Sequence, residues 1–165
     1  MRTDEEITKA IDQYADMVRR LCFVHLKNYA DTEDIFQTVF LSYAQSQVEF
    51  TSEEHEKAWL IRVTINACKD LLKSFFRRHV VSMDQLYHFP ADTPDEHRYL
   101  LEEVLKLPEK YRHVIYLFYY EGYTAVEISD LLNRRVNTIY TWLDRGRNQL
   151  RDVLTDELEE GNYDQ

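Results

Sequence analysis

The chain has 165 residues, 44% of them hydrophobic, enough for one domain with a proper core or two small ones and too few for a barrel enzyme with inserted domains. Lys and Arg number 20 against 30 Asp and Glu, so the formal net charge is −10 and a whole-chain basic field for nucleic acid is excluded; any DNA contact must come from local patches. Three Gly and three Pro are too few for the turns of an all-β fold or for low-complexity disorder, which leaves an all-α expectation. No apolar run approaches the roughly 20 residues that cross a bilayer. The opening MRTDEEITKA lacks the apolar stretch of a signal peptide, so no membrane insertion is expected. Cys22 and Cys68 have no CxxC or Cys/His metal spacing around them and read as reduced core residues of a cytoplasmic protein, with no metal or other cofactor.

Apolar residues recur at helical steps from Ile7 through Ile11, Tyr14, Val18, Leu21 and Cys22, which predicts a first helix. Asp31, with Asp34 three positions on, is the expected N-cap of a second helix whose stripe is Ile35, Phe36, Val39, Phe40 and Tyr43, running to about Gln47. Thr51 and Glu54 have capping-box spacing and open a long third helix through Trp59 to about Arg78. The following VVSMDQLYHFPADTPDEHR holds two of the three prolines and no sustained period, so it reads as an interdomain linker. Periodicity resumes at Leu100, and Pro108 is placed at the first position of a helix that carries Val114 to Tyr120 and stops at Gly122. Thr124 and Glu127 form another capping box ahead of Ile128, Leu131 and Leu132, and Asn133, which tolerates the left-handed conformation, ends that short helix. A last stripe runs through Val136, Ile139, Leu143 and Leu150, and DELEEGNYDQ reads as a frayed acidic tail. The expected organisation is two small helical domains, 1–80 and 99–155, joined by a flexible linker at 81–98 and followed by a tail at 156–165.

A short capped helix, a turn of about three residues and a second helix with a polar outer face form a helix-turn-helix pattern. At 100° per residue, Asn137, Thr141, Asp144 and Asn148 lie opposite the apolar stripe of the second helix, flanked by Thr138, Tyr140 and Arg145. Arg134, Arg135, Arg145, Arg147 and Arg151 against Asp144 give 134–151 a net charge of +4, suited to phosphates, while the amide and hydroxyl groups suit base edges. An ordinary solvated helix face shows the same polarity. Trp142 falls near the buried side and suits the core.

The third helix is apolar over most of its circumference, yet Arg62, Asn66, Lys69, Lys73 and Arg77 form a narrow strip with Trp59 at its upper edge. A basic strip with one amide and an aromatic suits a nucleic-acid strand. Basic side chains snorkelling over apolar neighbours give the same pattern, and a Trp beside Leu60 suits the core equally. Opposite the core stripe of the second helix lie Asp34, Gln37, Thr38, Leu41 and Gln45, a polar face whose one leucine can dock on a partner's helix.

With these residues in view, the chain resembles a bacterial extracytoplasmic-function sigma factor of the sigma-70 family over nearly its whole length. Four blocks carry the resemblance in the family's order: DTEDIFQTVFLSYA at 31–44, HEKAWLIRVTINACKDLLKSFFRR at 55–78, LPEKYRHVIYLFYYEGYTAVEISDLL at 107–132 and VNTIYTWLDRGRNQL at 136–150. The resemblance implies that 1–80 is sigma region 2 and 99–155 sigma region 4. It places Asp34, Gln37, Phe40 and Leu41 on the block that binds the clamp of core RNA polymerase, although the helical wheel puts Phe40 nearer the core. Asn66 takes the position of an Asn that reads the minus-ten strand, with Trp59, Arg62, Lys69, Lys73, Arg77 and Arg78 around it, and the connection at 48–56 matches a loop that captures a flipped base. Arg134, Arg135, Asn137, Thr138, Tyr140, Thr141, Asp144, Arg145 and Arg147 fall on the helix-turn-helix that reads the minus-thirty-five element. The family commonly has Gly, Ser and Gly where this chain has Asn133, Arg135 and Asn137, and basic residues where it has Tyr140 and Trp142.

The function so implied is promoter recognition and transcription initiation, with core RNA polymerase (clamp and flap), promoter DNA and an anti-sigma factor as partners. The rival is a stand-alone helix-turn-helix regulator that binds duplex DNA as a dimer. Six scattered His, cysteines at unrelated positions and no phosphate-binding Gly loop leave no catalytic constellation, so no enzyme is expected.

Overall fold

The computed structural model describes residues 1–78 and 102–161, with side chains for 1–74 and 102–152, and the linker expected at 81–98 lies outside them. The chain divides into two compact units, Met1–His88 and Phe89–Gln165. All regular structure among the described residues is helical, as the composition requires.

In the first unit, α1 spans Asp4–Leu26, α2 Tyr29–Gln45 and α3 Glu53–Arg78. Thr3 caps α1: its Oγ1 accepts from the Glu6 N–H at 3.2 Å, while Glu6 Oε2 accepts from the Thr3 N–H at 2.8 Å. That hydrogen bond from Thr3 holds the Glu6 carboxyl below its usual range. Lys27 ends α1 in the left-handed conformation (φ 55°), its N–H reaching the Phe23 carbonyl. The chain re-enters a helix at once, so the cap of α2 is Asn28 and not Asp31. The Asn28 Oδ1 accepts the Asp31 N–H at 2.9 Å, and Asp31 stands inside the first turn, where a carboxylate still favours the positive end of the helix dipole. α2 stops at Gln45, two residues before the expected end. α3 likewise opens one residue later than its apparent capping box: Ser52 Oγ accepts from the His55 N–H at 3.0 Å, and the Thr51 N–H donates to His55 Nδ1.

Each of the three helices buries one stripe against the other two. Val18, Leu21 and Cys22 from α1, Ile35 and Val39 from α2, and Leu60, Ile61 and Cys68 from α3 make the core, with both cysteines buried as free thiols. Thr64, inside this core, returns its hydroxyl to the Leu60 carbonyl at 2.7 Å and so carries no unmet polar group. On the rim, Arg19 of α1 pairs with Glu33 of α2 at 3.0 Å and lies 4.0 Å from the Phe36 ring centroid.

In the second unit, α4 spans Glu109–Ile115, α5 Ala125–Leu132 and α6 Val136–Gly161. Pro108 stands one position outside α4, with extended ψ (144°), instead of at its first helical residue. α4 runs straight into a π-helical turn, Tyr116–Tyr120, in which Tyr116 stacks on Tyr120 at 5.3 Å and donates to Glu121 Oε1 at 2.7 Å. Gly122 (φ 76°) then takes a left-handed turn that most residues avoid. α6 continues to Gly161, well past 156 where the tail was expected to fray.

The core of this unit is Leu105, Val114, Leu117, Ile128, Ile139 and Leu143. Gly146 is where α6 meets α4: a Cβ added there would lie 2.9 Å from Ile115 Cγ1 and 3.4 Å from Tyr111 Cβ. Replacing it with Val gains a few tenths of a kcal/mol in helix propensity. The overpacking costs more, so G146V is expected to lower the stability of this unit by about 2 kcal/mol in chemical denaturation.

Candidate nucleic-acid interface

On α3, Ile61, Thr64, Ile65 and Cys68 face inward, which leaves Arg62, Asn66 and Lys73 exposed and Lys69 half-buried along the opposite side. From 62 to 73 this strip covers about 16 Å of helix axis at 1.5 Å per residue. Asp70 is exposed at its flank. Arg77 and Arg78 stand on the last turn of the helix, their side chains outside the described residues.

One turn above Arg62 sits Trp59, half-buried in an aromatic cluster that the residue pattern had not revealed. Phe50, from the 46–52 connection, lies parallel to Tyr43 of α2 (centroids 6.1 Å, 5° between planes) and meets Trp59 edge-on at 5.8 Å and His55 at 5.2 Å. Glu56 anchors the cluster from below: Tyr43 donates its hydroxyl to Oε1 at 2.6 Å, and the Tyr14 hydroxyl lies 3.4 Å from Oε2. Burial, then the Glu56 and Glu53 charges, push the Tyr14 hydroxyl up to about 12, and burial with Glu56 pushes Tyr43 up as well, so both stay neutral donors. Beside these rings a cavity of about 570 Å³ opens between the start of α1, the end of α2, the 46–52 connection and the first turn of α3. Its lining combines Tyr43 and Phe50 with Arg2, Lys9 and the four acidic residues Glu6, Glu49, Glu53 and Glu56. The sequence signal was Phe50, a lone aromatic inside a polar connection; Arg2, which also lines the cavity, had none.

On α2, Asp34, Gln37, Thr38, Leu41 and Gln45 are all exposed on one face, Leu41 by 60%. Phe40 is 5% exposed and packs against Phe36 and Tyr43, as the wheel indicated; it supports this face from beneath instead of presenting its ring on it.

In the second unit, Thr124 caps α5 with the reciprocal Glu127 contact, and Asn133 ends it in the left-handed conformation (φ 52°, ψ 52°). Both caps stand at the positions the sequence indicates. The Arg134 N–H returns to the Ser129 carbonyl at 3.0 Å, and Thr138 and Ile139 donate to the Arg135 carbonyl, so residues 133–135 form the tight turn of a helix-turn-helix. With Ile139, Leu143 and Gly146 buried, α6 exposes Asn137, Tyr140, Thr141, Asp144, Arg145 and Asn148, and the turn exposes Arg134 and Arg135; Thr138 is half-buried. Arg147 differs from its neighbours because it is held within the unit. It donates to the Leu143 carbonyl, the Tyr119 hydroxyl and Asp144 Oδ1 at 3.2 to 3.3 Å. Arg134 lies 5.9 Å from the half-buried Trp142 ring.

Two family models match the chain: sigma-70 region 2 over residues 10–78 and sigma-70 region 4 over 97–150. The chain is 31% identical over 163 residues to the ECF RNA polymerase sigma factor SigW of Bacillus subtilis, covering 88% of this chain and 87% of that one. It is 27% identical to the RNA polymerase sigma factor SigV of the same organism, with 84% of each covered. Among solved structures, the sigma factor RpoE of Bartonella quintana in complex with the anti-sigma factor NepR shares the fold (TM-score 0.76, 19% identity, 92% of this chain and 98% of that one). Three helices with an exposed basic strip, a capped helix-turn-helix and these two matched regions in order make the chain a member of the extracytoplasmic-function group of the sigma-70 family.

Proposed function

We infer that this protein is a sigma factor that binds core RNA polymerase and directs it to specific promoters; the relatives above are named RNA polymerase sigma factors. The observation that carries the reading is the pairing, in one chain, of an exposed basic strip on α3 with a helix-turn-helix whose turn and second helix carry a net charge of +4 over 134–151. The α2 face with Asp34, Gln37 and Leu41 docks on the polymerase clamp. The strip Arg62, Asn66, Lys69 and Lys73 then holds the non-template strand, with Arg77 and Arg78 extending it. One unstacked base enters the cavity beside Phe50 and Tyr43. Unstacking costs a few kcal/mol, offset by ring contacts of about 1–3 kcal/mol per base.

The second unit sets the start of α6 in the major groove of the upstream duplex. Asn137, Thr138, Tyr140, Thr141, Asp144 and Arg145 stand at base edges, and Arg134 and Arg135 meet phosphates. Arg147 contributes by fixing α6 against Tyr119. The same unit engages the polymerase flap. An anti-sigma factor that covers these faces is a further partner, supported by the solved relative crystallised with one.

A net charge of −10 removes the diffuse electrostatic attraction that lets a stand-alone regulator bind duplex DNA tightly. The purified protein is therefore expected to bind promoter duplex weakly and to give start-site-specific transcripts once core polymerase is added. Run-off transcription over a randomised promoter library checks this, and tight, polymerase-independent duplex binding at paired half-sites would overturn it in favour of a dimeric regulator.

A further inference from the structure

The wall of the aromatic cavity is fastened from an unexpected side. The 46–52 connection has no regular structure and leaves Val48 and Glu49 exposed, so its shape depends on what grips it. On the α3 side the grip is Phe50, set against Trp59 and His55. On the other side it is Arg2, which precedes the cap of α1. Its backbone N–H donates to the Ala44 carbonyl at 3.0 Å and its Nε to the Tyr43 carbonyl at 3.2 Å, both on the last turn of α2. The other arm of the guanidinium donates to the Val48 carbonyl, inside the connection itself. The guanidinium carbon also lies 4.5 Å from the Tyr43 ring centroid and 4.7 Å from that of Phe50. One planar cation thus bridges the end of a helix, the irregular segment after it and the two parallel rings.

We propose that Arg2 is a positioning residue for the base-capturing cavity: its fork ties Val48 to the end of α2 and holds Phe50 parallel to Tyr43, which sets the width of the slot that a flipped base enters. The proposal rests on the base-capture reading above. A planar guanidinium is needed for this and a point charge does not replace it, because the contact combines two divergent N–H donors with a flat face against aromatic rings. Lysine has the charge without the fork.

Two readouts on the full-length protein separate this proposal from the reading beneath it. The first is amide hydrogen exchange of 46–52 in the free protein, comparing wild type with R2A and R2K. Both variants are expected to exchange there about tenfold faster, equivalent to ~1.4 kcal/mol of local opening, while core amides of α1 and α3 and the melting temperature stay as in wild type. Unchanged exchange at 46–52 in R2A would overturn the clasp. The second readout is transcription with core polymerase on templates carrying each of the four bases at every melted upstream position. Wild type is expected to prefer one base at one position, and R2A and R2K to lose about tenfold of that preference while keeping polymerase binding. Preference retained in both variants overturns the positioning role. A wild type without any such preference overturns base capture itself, while the exchange experiment still decides whether Arg2 holds the connection.

Discussion

Charge reversal at Lys69 and Lys73 together is expected to lower promoter-dependent transcription by about 100-fold, with polymerase binding and the melting temperature of the protein nearly unchanged. Lys73 is exposed and Lys69 half-buried, and neither has an ion-pair partner among the described residues, so their replacement by Glu breaks nothing inside the first unit. A surface substitution of this kind typically moves stability by no more than about 0.5 kcal/mol. On the single strand the change is large, because two attractions to phosphates become two repulsions. Each phosphate contact on a single strand contributes roughly 0.7 to the log–log salt slope, so the slope of open-complex formation is expected to fall by about 1.4. Transcription across a salt series with K69E/K73E checks both numbers. A wild-type slope and wild-type yield would mean that the strip only solubilises α3.

Ile139→Ala is expected to cost the second unit about 2–5 kcal/mol, the range for deleting a large side chain from a packed core. Ile139 is fully buried, as are Ile128 of α5 and Leu143 one turn further along α6, and together they fix the angle between the two helices of the helix-turn-helix. Against a total of about 5–15 kcal/mol for an entire domain, that loss leaves a helix pair that samples open states. Recognition of the upstream element needs the start of α6 held in one orientation, so dependence of transcription on that element is expected to disappear. Denaturation is readable unit by unit, because the chain has two Trp, Trp142 in the second unit and Trp59 in the first. The Trp142 transition is expected to shift to lower denaturant and the Trp59 transition to stay. A Trp142 transition at the wild-type midpoint would show that the packing of α5 on α6 does not depend on Ile139.

Much of this arrangement was legible in residue spacing. Thr124 with Glu127, Asn133 as the stop, and the exposed set from Asn137 to Arg145 follow from local capping chemistry and a 3.6-residue period, which neighbours reinforce and do not alter. The strip on α3 was legible for the same reason. The caps of α2 and α3 were misplaced by one to three residues, because several Asp, Asn, Ser and Thr compete for each start and only the preceding backbone selects among them. Lys27 in the left-handed conformation makes Asn28 the cap, and Ser52 faces the His55 N–H where Thr51 does not. The π-helical turn at Tyr116–Tyr120 left no mark on the apolar stripe, since one extra residue in a turn is absorbed where the flanking residues are almost all apolar.

By itself, the sequence determined the all-α class, the helix-turn-helix with its caps, the basic strip and the family, because these depend on contacts between residues a few positions apart or on motifs read in order. Only the tertiary structure decided that Arg147 is held by Tyr119, and that Arg2, Tyr43, Phe50 and Glu56 share one cavity. Those residues are up to 54 positions apart and come from two helices and two irregular segments, with no common period to betray them. What joins them is the packing of α1 and α2 against α3, which brings the segment before α1 beside the connection between α2 and α3. Nothing in the local chemistry of an arginine at position 2 announces that contact.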